Sequence, residues 1–298
     1  MKISYNEATA ANCSSLQKDL VLCEENGFDY IEIRGDMLLD YLAENTAAAL
    51  KDFFSRSHLQ PHAINALYTY ADMFHPQRAD IARDRALCAY FLACCEIAYQ
   101  IGGHYFIVVP HLLDDGNNIY LPHDPNTEAY PYTKEKVMED SVRILRKLAA
   151  MAEQYEMNLA WEPVGSMGCA VRRAQDAMEI ISTTGCTNVG IALDPFNLYL
   201  DGKHNDFSYL ARIPREKIFA VHINNCDSLP LGTLDHCHRR FVDEGEIDLH
   251  NYLENIKKTG YDGMVSIETF RPEYYEMAPQ DVIRRAYLTT KALIEEQL

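Results

Sequence analysis

Four apolar runs, each ending in or carrying a residue able to ligate a metal, constrain this chain more than any other feature of it. Residues 158–160 lead into Trp161-Glu162-Pro163, and Val189–Leu193 leads into Asp194-Pro195. His222 lies within Ile218–Ile223, and Met264–Ile267 runs out at Glu268. Short apolar runs of this kind suit buried parallel strands. A carboxylate where a buried strand ends is costly unless a metal, a cation or a substrate hydroxyl compensates it. For Glu268 alone, a helix cap or an ion pair with Arg271 would serve equally well. The repetition argues for more. The intervals from 162 to 194 and from 194 to 222 each fit one strand–helix repeat of roughly 30 residues. The interval from 222 to 268 carries an added loop between 224 and 247. Parallel strands present their C-terminal ends on one face, where α/β proteins bind ligands. Three carboxylates and one imidazole around one spot are mostly hard donors, suited to a divalent ion such as Mn²⁺ or Mg²⁺ rather than one held by thiolates.

The rest of the chain repeats the same alternation. Strands are expected at 3–6, 30–34, 63–67 and 105–109 before the four already named. Helical periodicity covers 16–25, 47–54, 80–101, 134–155, 172–183, 207–211, 249–258 and 279–296, with stops at Asn26-Gly27, Gly102-Gly103, Thr184-Gly185 and Gly260. At 298 residues the length fits one large barrel or two ordinary domains, and no break in composition marks a boundary. Eight strands alternating with helices give an α/β fold, a (β/α)₈ TIM barrel spanning 1–298 as a single domain. Residues 112–132 are a non-periodic insertion with three prolines. They are too long for an ordinary βα connection, and read as a lid, a partner surface or a surface insertion without a role.

Charge and cysteine usage exclude several functions. A net charge of −17 is the wrong sign for a nucleic-acid surface. No apolar stretch would span a bilayer, and Met1-Lys2-Ile3-Ser4 enters strand-like sequence without an export signal's apolar core. Nine scattered cysteines without C-x-x-C spacing read as buried thiols of a reducing compartment, so the expected location is cytoplasmic. His236-Cys237-His238 is either a soft-metal site or an ordinary polar loop. There is no P-loop, no G-x-G-x-x-G and no G-x-S-x-G. Among earlier strands, Asn65 is the expected inward polar residue, while Glu32 and Arg34 either face the barrel mouth or pair with each other. Asn65, Glu32 and His111, which follows the fourth strand, are the further candidates to contact substrate.

The segments KISYNEAT, LVLCEENGFDYIEIR, VHINNCDSLPLGTL and SIETFRPEYY resemble the inosose (2-keto-myo-inositol) isomerases, within the xylose-isomerase-like superfamily of sugar isomerases and epimerases. The resemblance runs over nearly the whole chain. It implies that Glu162, Asp194, His222 and Glu268 hold one divalent ion, Mn²⁺ first, with Mg²⁺, Co²⁺, Fe²⁺ or Zn²⁺ as alternatives. It also implies a substrate-contacting arginine, Arg239 or in an alternative alignment Arg240. The substrate implied is a small keto sugar or inosose, isomerised through an enediolate, with Glu162 and Glu268 carrying the proton. Keto-sugar epimerases, dehydratases and C-glycoside-cleaving enzymes of the superfamily are the neighbouring activities, and a non-catalytic sugar-binding barrel is the remaining alternative. The implied partners are small molecules, with neither nucleic acid nor membrane, and a homo-oligomer is left open. Asn197 stands where the resemblance leads one to expect a histidine, the segment 241–245 lacks a Pro-Gly, and the 112–132 insertion is longer than its counterpart.

Overall fold

A computed structural model describes residues 1–113, 133–166 and 168–296. Eight strands form a closed parallel barrel in chain order: β1 (Lys2–Asn6), β2 (Tyr30–Arg34), β3 (Gln60–Tyr68), β4 (Tyr105–Val109), β5 (Asn158–Trp161), β6 (Val189–Leu193), β7 (Ile218–Ile223) and β8 (Met264–Ile267). Closure comes from β1 pairing with β8, Lys2 opposite Met264 and Tyr5 opposite Ile267. The barrel is the fold expected from the sequence. Its interior is built of small and medium residues, Ala63, Ile107, Ala160, Ala192, Ala220 and Met264. The opposite faces of the same strands pack under the helices, so both faces of each strand are dry. At the N-terminal end the rings of Tyr30, His62, Tyr105 and Phe219 close the floor, with His62 stacked on Tyr105 at 4.7 Å. His62 therefore lies away from the mouth.

The helices form where periodicity and caps coincide. Asp80 accepts from the backbone N–H groups of Ala82 and Arg83, both at 3.0 Å, and starts the helix Ile81–Ile101, which Gly102 ends in the left-handed region at φ 93°. Thr133 caps the helix Lys134–Ala152 through the N–H of Lys136. The helix Gly35–Glu44, absent from the expected segments, begins without a side-chain cap. The 207–211 segment is a 3₁₀ turn, Ser208–Arg212, rather than an α-helix. The loop between β7 and β8 holds a two-residue antiparallel ribbon, Asn225–Cys226 against Arg239–Arg240. Most of the 112–132 insertion lies outside the described residues; Leu112, which bridges to Cys169, and Leu113 are its described part. No helix among the described residues is long and apolar enough to cross a membrane.

A buried acid pair at the corner between β1 and the helix Leu16–Asn26 makes stability depend on pH. Glu7 and Asp19 are both buried. The Arg34 N–H donates to Glu7 Oε2 at 2.7 Å, and the Ser14 hydroxyl donates to Asp19. Glu7 Oε1 and Asp19 Oδ2 are buried with no hydrogen-bond donor among the described residues, which favours the protonated forms. Burial pushes Asp19 up to about 7 and Glu7 well above its usual range. The folded chain thus holds protons that an unfolded chain releases near pH 4, roughly the ordinary carboxylate value. This contribution is complete below that pH and is lost as pH rises through about 7. Glu7→Gln should flatten the decline in thermal midpoint between roughly pH 4 and 7. An unaltered slope in the variant would assign the dependence to other groups.

Candidate active site

The four strand ends converge. Glu162 follows β5, Asp194 follows β6, His222 lies on β7 and Glu268 follows β8, all at the C-terminal mouth. One ligand atom from each can be chosen so that all lie within 4.8 Å of one another, and all four residues are buried. Among the described residues this is the one cluster of its kind.

Each side chain is held from behind. Asp194 Oδ1 accepts from the N–H of Asn197 at 2.9 Å, capping the short helix Pro195–Leu198. Its Oδ2 accepts from Asn224 at 2.8 Å and from Arg239 at 3.0 Å. Glu268 Oε1 accepts from Asn6 at 2.8 Å and Asn65 at 3.0 Å, while Oε2 accepts from Arg239 at 2.6 Å. Glu162 Oε1 accepts from Asn197 at 3.1 Å and lies 3.3 Å from His222 Nδ1. That nitrogen is also 3.5 Å from Glu268 Oε2 and 3.8 Å from Asp194 Oδ2. The Tyr252 hydroxyl sits at Leu193 O and His222 O, 3.0 and 3.2 Å away, tying the backbones of β6 and β7 together. The loop after Glu162 needs a glycine: a Cβ on Gly165 would stand 2.0 Å from Asn197 O.

So many carboxylates in a dry cup demand positive charge. Burial disfavours the His222 imidazolium, yet Glu32, Glu268 and Glu162 together outweigh it and raise the pKa well above its ordinary value. Burial raises Glu162, with Glu268 and Asp194 adding repulsion against the pull of His222. Burial likewise opposes the Arg239 charge, which Asp194, Glu268 and Glu162 stabilise. A divalent cation meets the same demand, and its arrival would displace the His222 proton. Three carboxylates and an imidazole, close-set and individually oriented, fit such an ion.

The other expected site residues fall in different places. Arg239, and not Arg240, enters the cup; it is fully buried between the rings of Phe196 and Phe270, each 5.1 Å from the guanidinium carbon. Arg240 turns to Asp227 and Glu244. Asn65 reaches Glu268. Glu32 does not pair with Arg34, which pairs with Asp36; it stands behind His222, fully buried. His111 is buried outside the cluster, and burial lowers its pKa to about 4. The charges acting on it are Asp140, Arg143, Asp72 and Lys136, none of them a cluster residue. Of the 236–238 triplet, His238 caps the N–H of Asp235, whereas the His236 ring packs on Phe196 and Phe270 in the wall beside Arg239. The sequence reading passed over Asn6 and Asn224, and over Tyr68, which is 62% exposed at the end of β3. Tyr68 is close enough to Glu268 and Glu162 to feel their charge.

Comparison with known proteins gives consistent matches. Residues 20–292 match the family described as xylose isomerase-like TIM barrel. The inosose isomerase of Bacillus velezensis is 32% identical over 297 residues, covering 99% of this chain and 98% of that protein. That of Bacillus subtilis is 32% identical, covering 99% of both. Among solved structures, the crystal structure of the IOLI protein with a bound zinc atom superposes with a TM-score of 0.87 at 32% identity, covering 100% of this chain and 99% of that one.

Proposed function

Because the chain belongs to the xylose isomerase-like TIM barrel family, we propose that it is a metal-dependent isomerase of a keto-inositol or a related α-hydroxyketone sugar. The observation that carries this reading is the placement of Glu162 and Glu268 at the ends of β5 and β8, with Asp194 and His222 between them. Glu162, Asp194, His222 and Glu268 would hold one divalent ion, which polarises the substrate carbonyl when bound. Mn²⁺ suits these donors, and Zn²⁺, found in the related structure, is the alternative.

The chain's own groups supply the proton transfers. Glu162 Oε1 is occupied by Asn197 and His222, whereas Oε2 accepts no hydrogen bond from a described side chain. Glu162 Oε2 therefore takes the proton from the hydroxyl-bearing carbon beside the carbonyl, giving an enediolate. Glu268, protonated from solvent before the step, delivers that proton to the former carbonyl carbon, the hydroxyl proton passes to the former carbonyl oxygen, and Glu162 then releases its proton to solvent. The carbonyl has then moved by one carbon. Arg239, bridging Asp194 and Glu268, orients the substrate oxygens. Asn65 acts through Glu268, and Tyr68 offers a ring and hydroxyl at the entrance.

An uncharged polyol fits this mouth better than a sugar phosphate. Arg239, Arg34, Arg240 and Arg271 are each ion-paired to carboxylates of the chain. The net charge of −17 disfavours nucleic acid, and nine free cysteines suit a cytoplasmic protein. The test is incubation of the metal-loaded protein with 2-keto-myo-inositol in D₂O, followed by NMR. A shifted carbonyl with deuterium at the former carbonyl carbon is expected. Loss of a ring hydroxyl would indicate a dehydratase, and an unchanged, unlabelled ketone would overturn the reading.

A further inference from the structure

We infer that Glu32 is a positioning residue that holds the proton of His222 on Nε2 and so presents Nδ1 to the metal. This rests on the reading of the cluster as a metal site and adds a residue to it. The two ring nitrogens face different surroundings. Nδ1 points at Glu162, Glu268 and Asp194, 3.3, 3.5 and 3.8 Å away. Nε2 points the other way, 3.1 Å from Glu32 Oε2 and 3.4 Å from Oε1. A neutral imidazole carries one proton, and an acceptor at one nitrogen leaves the lone pair on the other.

Glu32 is placed to do this and nothing at the substrate. It is fully buried in the barrel. Its Oε2 accepts from Asn6 at 2.8 Å and from the Ser266 hydroxyl at 3.0 Å, and the Ser266 oxygen lies 3.2 Å from the Ser4 hydroxyl. The same Asn6 amide donates to Glu268 Oε1 at 2.8 Å. Asn6 therefore couples the carboxylate behind His222 to a second ligand across the cup. A buried carboxylate without a cationic or N–H partner would be costly at this depth. Orientation of a metal-bound histidine by a carboxylate on its far nitrogen is worth roughly 10–100-fold in metal affinity.

The test compares wild type, Glu32→Leu and Glu32→Gln, with folding checked by far-UV circular dichroism. Zn²⁺ affinity is read by chelator competition, and the ¹⁵N spectrum of the Zn²⁺-loaded histidines is recorded. Wild type should show a metal-bound Nδ1 and an exchange-protected Nε2–H on His222. Glu32→Leu should bind Zn²⁺ roughly 10–100-fold more weakly and lose that protection. Glu32→Gln keeps an acceptor oxygen and should restore much of both. Should the leucine variant not fold, Glu32→Gln carries the test through a several-fold weaker affinity and faster Nε2–H exchange. Wild-type affinity and an unchanged His222 spectrum in a folded variant would overturn the inference while leaving the metal site intact. A wild type that takes up no Zn²⁺ would overturn the metal reading, and this inference with it.

Discussion

Asp194→Asn should purify folded but nearly metal-free, with isomerisation lost to the same degree. Asparagine keeps an oxygen for the N–H of Asn197, so the cap at Pro195 survives. It removes the charge that, with Glu268, holds Arg239, and it removes one of four donors. Loss of a direct ligand should exceed the roughly 10–100-fold that an orienting residue is worth. His222→Ala should lose metal as well but also stability, because it strands Glu32 without its partner. Breaking a buried ion pair from one side costs about 3–5 kcal/mol. Elemental analysis of the purified proteins measures the first effect and thermal melts the second. Chelation should lower the wild-type melting temperature, by mass action, and leave Asp194→Asn unmoved. Full metal occupancy in Asp194→Asn would remove the site from these residues.

The four clustered residues were legible because strand ends are legible. An apolar run that stops at a carboxylate marks both the strand and its mouth end, and four runs in succession fix the face they share. The residues that hold them in place carry no such mark. Asn6 reaches Glu268 across 262 residues of chain, a contact that exists only once the barrel has closed. Asn197 registered only as a departure from a resemblance, yet it donates to Glu162 and caps onto Asp194, filling two structural tasks from one position.

Parity explains the arginines. Neighbouring residues on a strand point to opposite sides, so either Arg239 or Arg240 could enter the cup, not both. The choice follows from the pairing of Cys226 with Arg239 and Asn225 with Arg240 in a ribbon only two residues long, too short for a hydrophobic pattern to announce. Glu32 shows the opposite failure. Its strand was correctly placed, but a polar residue facing a barrel interior can meet either substrate or another side chain. Only depth separates the two, and Glu32 sits beneath His222. The helix Gly35–Glu44 was hidden because Arg34 offers no capping side chain at its start.

Glu162→Gln and Glu268→Gln should each lower kcat by roughly 10²–10⁴-fold, the range for a positioned proton-transfer group. Both keep the size of the side chain and one ligating oxygen, but their surroundings differ. Glu162 uses Oε1 for Asn197 and His222, leaving Oε2 free to become an amide nitrogen without meeting another donor. Glu268 has donors on both oxygens, Asn6 and Asn65 on one and Arg239 on the other. Whichever way a glutamine turns there, its NH₂ faces an N–H, and leaving such a group unsatisfied costs about 1–3 kcal/mol. Glu162→Gln should therefore lose turnover while keeping metal and melting temperature near wild type. Glu268→Gln should lose all three in part. Exchange of the substrate's α-proton with D₂O then orders the steps: a variant that exchanges without forming product has kept the group that removes the proton and lost the one that returns it. On the roles assigned above, that variant is Glu268→Gln. Exchange surviving in Glu162→Gln alone would reverse the order, and near wild-type turnover in both, with metal bound, would make the two carboxylates ligands and nothing more.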